Sequence, residues 1–109
     1  MPGADLDLDL FLARAWKACR AKSVVIEDYA ARRAYNELGW RFSEIIELLL
    51  ALERAHFVRN EPRRHGPGLL WMFTPWHDDF GDIWVELAFS GEQLLVVVSM
   101  HPSDGKGEP

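Results

Sequence analysis

Trp84, Glu86, Ser99 and His101 hold much of the reactive chemistry of this sequence, and they recur at every second position. They lie in or just beyond two apolar runs, Ile83–Phe89 and Leu94–Met100. Joined by Ser90-Gly91-Glu92-Gln93, these runs read as adjacent antiparallel strands. With Phe89 opposite Leu94, a side-chain period of two gathers Ile83, Val85, Leu87, Phe89, Leu94, Val96, Val98 and Met100 on one apolar face. The other face then carries Trp84, Glu86 and Ala88 beside Leu95, Val97, Ser99 and His101. An imidazole exchanges a proton near neutral pH, and an indole offers a surface for stacking an unpaired base. Arg59, in the preceding run Phe57–Asn60, keeps its charge and so suits clamping a phosphate but not trading protons. Arg63, Arg64 and His65 follow in a turn-rich loop, Glu61 to Gly68.

Each of these residues also has a plainer reading. His101, ahead of Pro102, fits a solvated strand end. Arg59 fits a strand-edge charge that discourages sheet-to-sheet association. Trp84 fits a structural aromatic beside Trp71 or Leu95, and Arg63, Arg64 and His65 fit a solvated loop. Ser99, His101 and Glu86 include the residue types of a hydrolase triad, but Ser99 sits mid-strand without a nucleophile elbow. His77-Asp78-Asp79 reads as an acidic turn, since no helical His spacing or second His–Asp pair accompanies it as a metal site requires. Gly66-Pro67-Gly68 is a turn signal, not a phosphate-binding loop.

The hydrophobic pattern supplies a scaffold for these side chains. Residues 5 to about 21 predict a helix with Leu8, Leu12, Ala15 and Cys19 on one stripe, broadened by Phe11 and Trp16, and Asp5, Asp7 and Asp9 near its positive end. Ser23–Ile26 is a short extended piece. Glu27 and Asp28 open a second helix that stops at Gly39, and Ser43 caps a third that runs from Glu44 to about Ala55. Strands Phe57–Asn60 and Leu69–Phe73 precede the two described above. Helices followed by strands predict an α+β domain over residues 1–102, with three helices packed on the Ile83/Val98 face of a roughly four-stranded antiparallel sheet. Residues 103–109 predict a disordered polar tail.

The 109 residues, 49% of them hydrophobic, suit a single core. A net charge of −5 argues against a broadly basic, nucleic-acid-coating protein, although residues 54–65 form a local basic strip that suits a small anionic site or an acidic partner. The lone Cys19 excludes an intrachain disulfide framework and a cysteine-based zinc site. No run reaches the ~18 apolar residues of a spanning helix, and the acidic start lacks a signal peptide's basic and apolar regions. The expectation is a cytoplasmic protein with no membrane contact.

Several segments resemble a known family in their order and spacing. They are Ala34-Tyr35-Asn36-Glu37-Leu38-Gly39, Ser43-Glu44-Ile45-Ile46 leading to Leu50-Ala51-Leu52, His56-Phe57-Val58-Arg59-Asn60, Gly81-Asp82-Ile83-Trp84-Val85 and Val97-Val98-Ser99-Met100-His101. Together they resemble the MqsR (motility quorum-sensing regulator) toxins, part of the wider group of RelE-like ribonucleases. The similarity begins near Ala30 and covers about two-thirds of the chain. It implies a RelE-like fold and a bacterial toxin of a type II toxin–antitoxin system. Such a toxin is an endoribonuclease that cleaves messenger RNA without a metal or other cofactor and is neutralised by a cognate antitoxin protein. Arg59 takes the place of an active-site lysine, Trp84 of an aromatic that is often tyrosine, and His101 of a basic residue that is often lysine. A family glutamine falls near Leu70, which cannot perform a polar role.

In such cleavage the 2′-hydroxyl attacks the adjacent phosphate. His101 is then the expected general acid or base, Arg59 stabilises the phosphate charge, and Trp84 holds the base. Arg63, Arg64, His65 and Ser99 are the expected substrate contacts. The competing expectation is the same fold with a degraded site, kept as a protein- or nucleic-acid-binding module. Leu70 and the net acidity favour that alternative.

Overall fold

The computed structural model describes residues 2–103, so the polar tail expected from 103 lies, from residue 104 on, outside the described residues. Helix α1, Pro2–Arg20, buries Leu8, Phe11, Leu12, Ala15, Ala18 and Cys19, the one-sided stripe that its spacing dictates. Burial also pushes the Cys19 thiol up to about 11, despite the nearby positive charge of Arg20. The helix starts before residue 5, so Asp7 and Asp9 do not sit at its positive end; Asp9 instead meets Arg54 at 3.2 Å.

Strand β1, Val24–Ile26, leads into α2, Asp28–Arg33, which continues as one π-helical turn, Ala34–Leu38. Gly39 ends that turn in the left-handed region, at φ 73°, where a glycine carries no Cβ penalty. Helix α3, Phe42–Leu50, begins two residues earlier than expected. Arg41, not Ser43, occupies the cap: its backbone N–H donates to the Glu44 carboxylate at 2.6 Å, and the Ser43 hydroxyl adds a bond of 2.7 Å. These bonds, the Arg41 backbone first, hold the Glu44 carboxyl below the usual range. The helix stops at Leu50, short of Ala55, and a single 3-10 turn at Arg54–His56 redirects the chain into the sheet.

The remaining strands are β2 (Phe57–Pro62), β3 (Leu69–Phe73), β4 (Trp76–His77), β5 (Gly81–Ser90) and β6 (Leu94–Pro102). The sheet has six strands in the order β1-β6-β5-β3-β2, with β4 pairing separately with β5. It is mixed, because β1 runs parallel to β6 with Val25 opposite Val96. The expected four-stranded antiparallel sheet is therefore corrected by two short strands whose partners no local pattern reveals. Beyond Ile26 the Glu27 N–H still bonds the Val97 carbonyl at 3.0 Å. Helix α2 then packs against β6.

Helices α1 and α3 pack their apolar faces on Trp71, Phe73, Ile83, Val85, Leu87, Leu95, Val97 and Met100. Phe11 stacks on Trp71 with centroids 4.4 Å apart. The β5–β6 register differs from the expected one: Phe89 faces Leu95 and Leu87 faces Val97. Past that point the register slips so that Glu86 faces Ser99 and Trp84 faces His101, which leaves Val98 as the extra residue of a β-bulge. Leu95 and Val97 therefore belong to the core instead of the opposite face, and Val96 and Val98 leave it. Ser99 and His101 keep the face expected of them.

A second bulge lies in β2. Phe57 pairs with Phe73 on the core side, whereas Arg59 pairs with Met72 on the other, with Val58 the surplus residue. In a regular strand with Val58 paired, Phe57 and Arg59 would share a face. Among the described residues no helix is long and apolar enough to cross a membrane.

Candidate functional site

On the face turned away from α1 and α3, Arg59, Met72, Glu86 and Ser99 stand in one row across β2, β3, β5 and β6. Trp84 and His101 form the neighbouring pair on one side, and Glu61 and Leu70 on the other. At the usual strand spacing the Arg59 and Ser99 backbones lie ~14 Å apart, but the arginine side chain reaches inward. Its guanidinium carbon sits 5.8 Å from the centre of the Trp84 ring, and its Nε lies 3.6 Å from a Glu61 carboxylate oxygen.

Trp84 is only 1% exposed. Its indole N–H donates to Glu86 Oε2 at 2.9 Å. A ring so buried, with a guanidinium near it, has no open surface for stacking a base. Its geometry makes it the floor that orients Arg59 and Glu86. His101 is likewise 3% exposed, with Nδ1 at 2.8 Å from the Pro102 carbonyl oxygen. A carbonyl oxygen only accepts, so Nδ1 is the donor in this bond. Ser99 is buried as well.

A ladder of polar side chains runs along α2 and the turn after it, near enough to His101 for Glu37 to feel its charge. Arg33 donates to the Tyr29 hydroxyl at 3.0 Å and pairs with both oxygens of Glu37. The Arg33 hydrogen bond, with a smaller contribution from the charge of His101, holds the Glu37 carboxyl below its ordinary value. A depressed carboxyl contributes stability above its unfolded value of 4.5 and loses it as pH falls through the lower folded value. Because the pair is solvent-exposed, the contribution is small, ~0.2–1 kcal/mol. Glu37→Gln is expected to narrow the gap in urea midpoint between pH 7 and pH 3; an unaltered gap would show that the ladder contributes nothing.

A cleft of about 350 Å³ opens over the other end of this face, walled by Leu70, Val98, Glu86, Glu61 and Glu27 and by the Arg63-Arg64-His65 loop. The loop closes through the Arg63 N–H bonding the Gly68 carbonyl at 3.1 Å. Gly66 and Gly68, at φ 105° and 90°, adopt the left-handed conformations that this closure needs. Arg63 folds back to lie 3.7 Å from Glu27, while Arg64 and His65 are exposed.

The expected site residues thus fall into two groups. Arg63, Arg64 and His65 line the cleft, and Arg59, Trp84, Ser99 and His101 form the sheet face beside it. Leu70 is on the cleft wall, but the residue between Arg59 and Glu86 is Met72, which is fully buried. Strand β3 therefore offers this row no polar group at either position. Sequence reasoning placed Glu86 on the right face and gave it no role of its own. The signal available was a lone carboxylate in the apolar run Ile83–Phe89. Glu27 and Glu61 were missed as cleft residues, since nothing local brings them near Glu86.

No protein-family model matches the chain, and no curated protein matches it significantly. Function has to be read from the site itself. Among the described residues, no three His, Cys, Asp or Glu side chains converge as a metal-ligand set. At the acidic turn, His77 Nδ1 accepts the Asp79 N–H at 3.1 Å and its ring packs against Trp40, so it serves the turn itself.

Proposed function

We propose that this protein is a metal-independent endoribonuclease of the toxin type, with a RelE-like fold, which cleaves messenger RNA and is neutralised by a cognate antitoxin. The observation that carries the reading is the placing of Arg59 and Glu86 each against a buried Trp84, beside a cleft edged by Arg63, Arg64 and His65. RNA cleavage through the 2′-hydroxyl needs positive charge at the phosphate and groups that accept and supply protons, and this face holds both kinds.

A second reading, a binding module built on the same fold, is favoured by one observation. Trp84, Ser99 and His101 are buried, and β3 contributes only Leu70 and Met72, so fewer polar groups reach the surface than the resemblance implies. Inducing the protein alone in a bacterial host separates the two. Growth arrest with new cleavage ends in total RNA is the expected result, relieved when the antitoxin is co-expressed. Soluble, folded protein that neither arrests growth nor cuts RNA would leave the binding reading in its place.

A further inference from the structure

The proton acceptor of a ribonuclease site has to be within reach of the substrate hydroxyl, and His101, at 3% exposure, is not. Glu86 is. It is half-buried on the cleft wall between Leu70 and Val98, and Trp84 fixes it through the 2.9 Å bond to Oε2. One oxygen is held, and the second, Oε1, remains to take a proton. We propose that Glu86 is the general base that deprotonates the attacking 2′-hydroxyl, with His65 as the acid that protonates the leaving 5′-oxygen. This assignment rests on the ribonuclease reading above.

The surroundings of Glu86 suit that task. Across the row, beyond Met72, stands Arg59 on β2, and diagonally on β6 stands His101. Facing it over the cleft are Arg63, Arg64 and His65 from the loop, with Glu61 on β2 and Glu27 ahead of α2. A phosphate at the exposed Arg64 meets positive charge at the cleft mouth, with Arg59 and Arg63 each shared with a carboxylate, Glu61 and Glu27, while its sugar edge faces Glu86. The step balances without a co-reactant. The O2′–P bond forms as the 2′ proton passes to Glu86, and the P–O5′ bond breaks as the His65 imidazolium gives its proton to the 5′-oxygen. The products are a 2′,3′-cyclic phosphate and a 5′-hydroxyl end. Exchange with water then returns Glu86 to carboxylate and His65 to imidazolium.

The test uses the purified full chain and a short single-stranded RNA, with affinity measured on the 2′-deoxy analogue that cannot react. Glu86→Gln is chosen because its amide oxygen still accepts the Trp84 N–H, and Glu47→Gln, on an exposed position of α3 away from the cleft, is the control. The expected result for Glu86→Gln is a fall in kcat of ~10²-fold or more, with Kd for the analogue within about threefold and the acidic limb of the pH–rate profile gone. His65→Ala is expected to remove the basic limb.

A Glu86→Gln variant that cleaves like the control, or that loses affinity alone, overturns the role of Glu86 and leaves the ribonuclease reading standing. Wild type that cleaves no RNA while binding the analogue overturns the ribonuclease reading and this assignment together.

Discussion

Replacing Trp84 by Ala is expected to destabilise the protein by ~3–5 kcal/mol, the range for truncating a buried large aromatic. The ring is almost fully buried on the face opposite the main core, where Met72 and Ala88 are also fully buried. Removing it opens a cavity that neither α1 nor α3 can collapse into. It also takes the support from beneath Arg59 and the hydrogen bond from Glu86. Trp84→Phe separates these effects. It keeps most of the packing and deletes the N–H donor, for which the expected cost is the packing deficit plus ~0.5–1.5 kcal/mol for the lost bond. Urea unfolding at constant m-value measures both. A loss below about 1 kcal/mol for Trp84→Ala would mean that this face is loosely packed and already wet, against the burial described here.

The second large effect is on activity. Arg59→Ala is expected to lower RNA cleavage by ~10²–10³-fold, the scale for removing one preorganised charge from a developing oxyanion. Its effect on stability should stay within about 1 kcal/mol, because the side chain is 37% exposed and its Glu61 partner is 3.6 Å away. Arg59→Lys keeps the charge and loses the planar fork, so an intermediate rate is expected. Cleavage kinetics beside thermal unfolding on the same preparations check the prediction. An Arg59→Ala variant as active as wild type would return Arg59 to a strand-edge charge.

The contrast between the two substitutions follows from what was legible beforehand. The α1 stripe, the Gly39 stop and the pairing of β5 with β6 were written in local periodicity and turn chemistry, and each formed. The companionship of Trp84, Glu86, Ser99 and His101 was legible for the same reason. Burial of that face was not, because it depends on contacts between residues far apart in the chain, such as Arg59 beside Trp84. The parallel pairing of β1 escaped because three residues carry too little pattern to reveal a partner some seventy positions away. The Val98 slip escaped because unbroken alternation is the simplest reading of Leu94 to His101. It assigned Leu95 and Val97 to the wrong side while leaving Ser99 and His101 on the right one.

The two surplus residues, Val58 and Val98, have a consequence for how such a site is inherited. A bulge residue marks a place where the chain can shorten by one without turning the side chains that follow it to the other face. Deleting Val58 would leave Phe57 opposite Phe73 and Arg59 opposite Met72, in regular alternation. Deleting Val98 would likewise leave Val97 opposite Leu87 and Ser99 opposite Glu86. A relative with a gap at either place would therefore keep the assembly of the site. Chain length at these two points bears less on kinship in function than the side chains do.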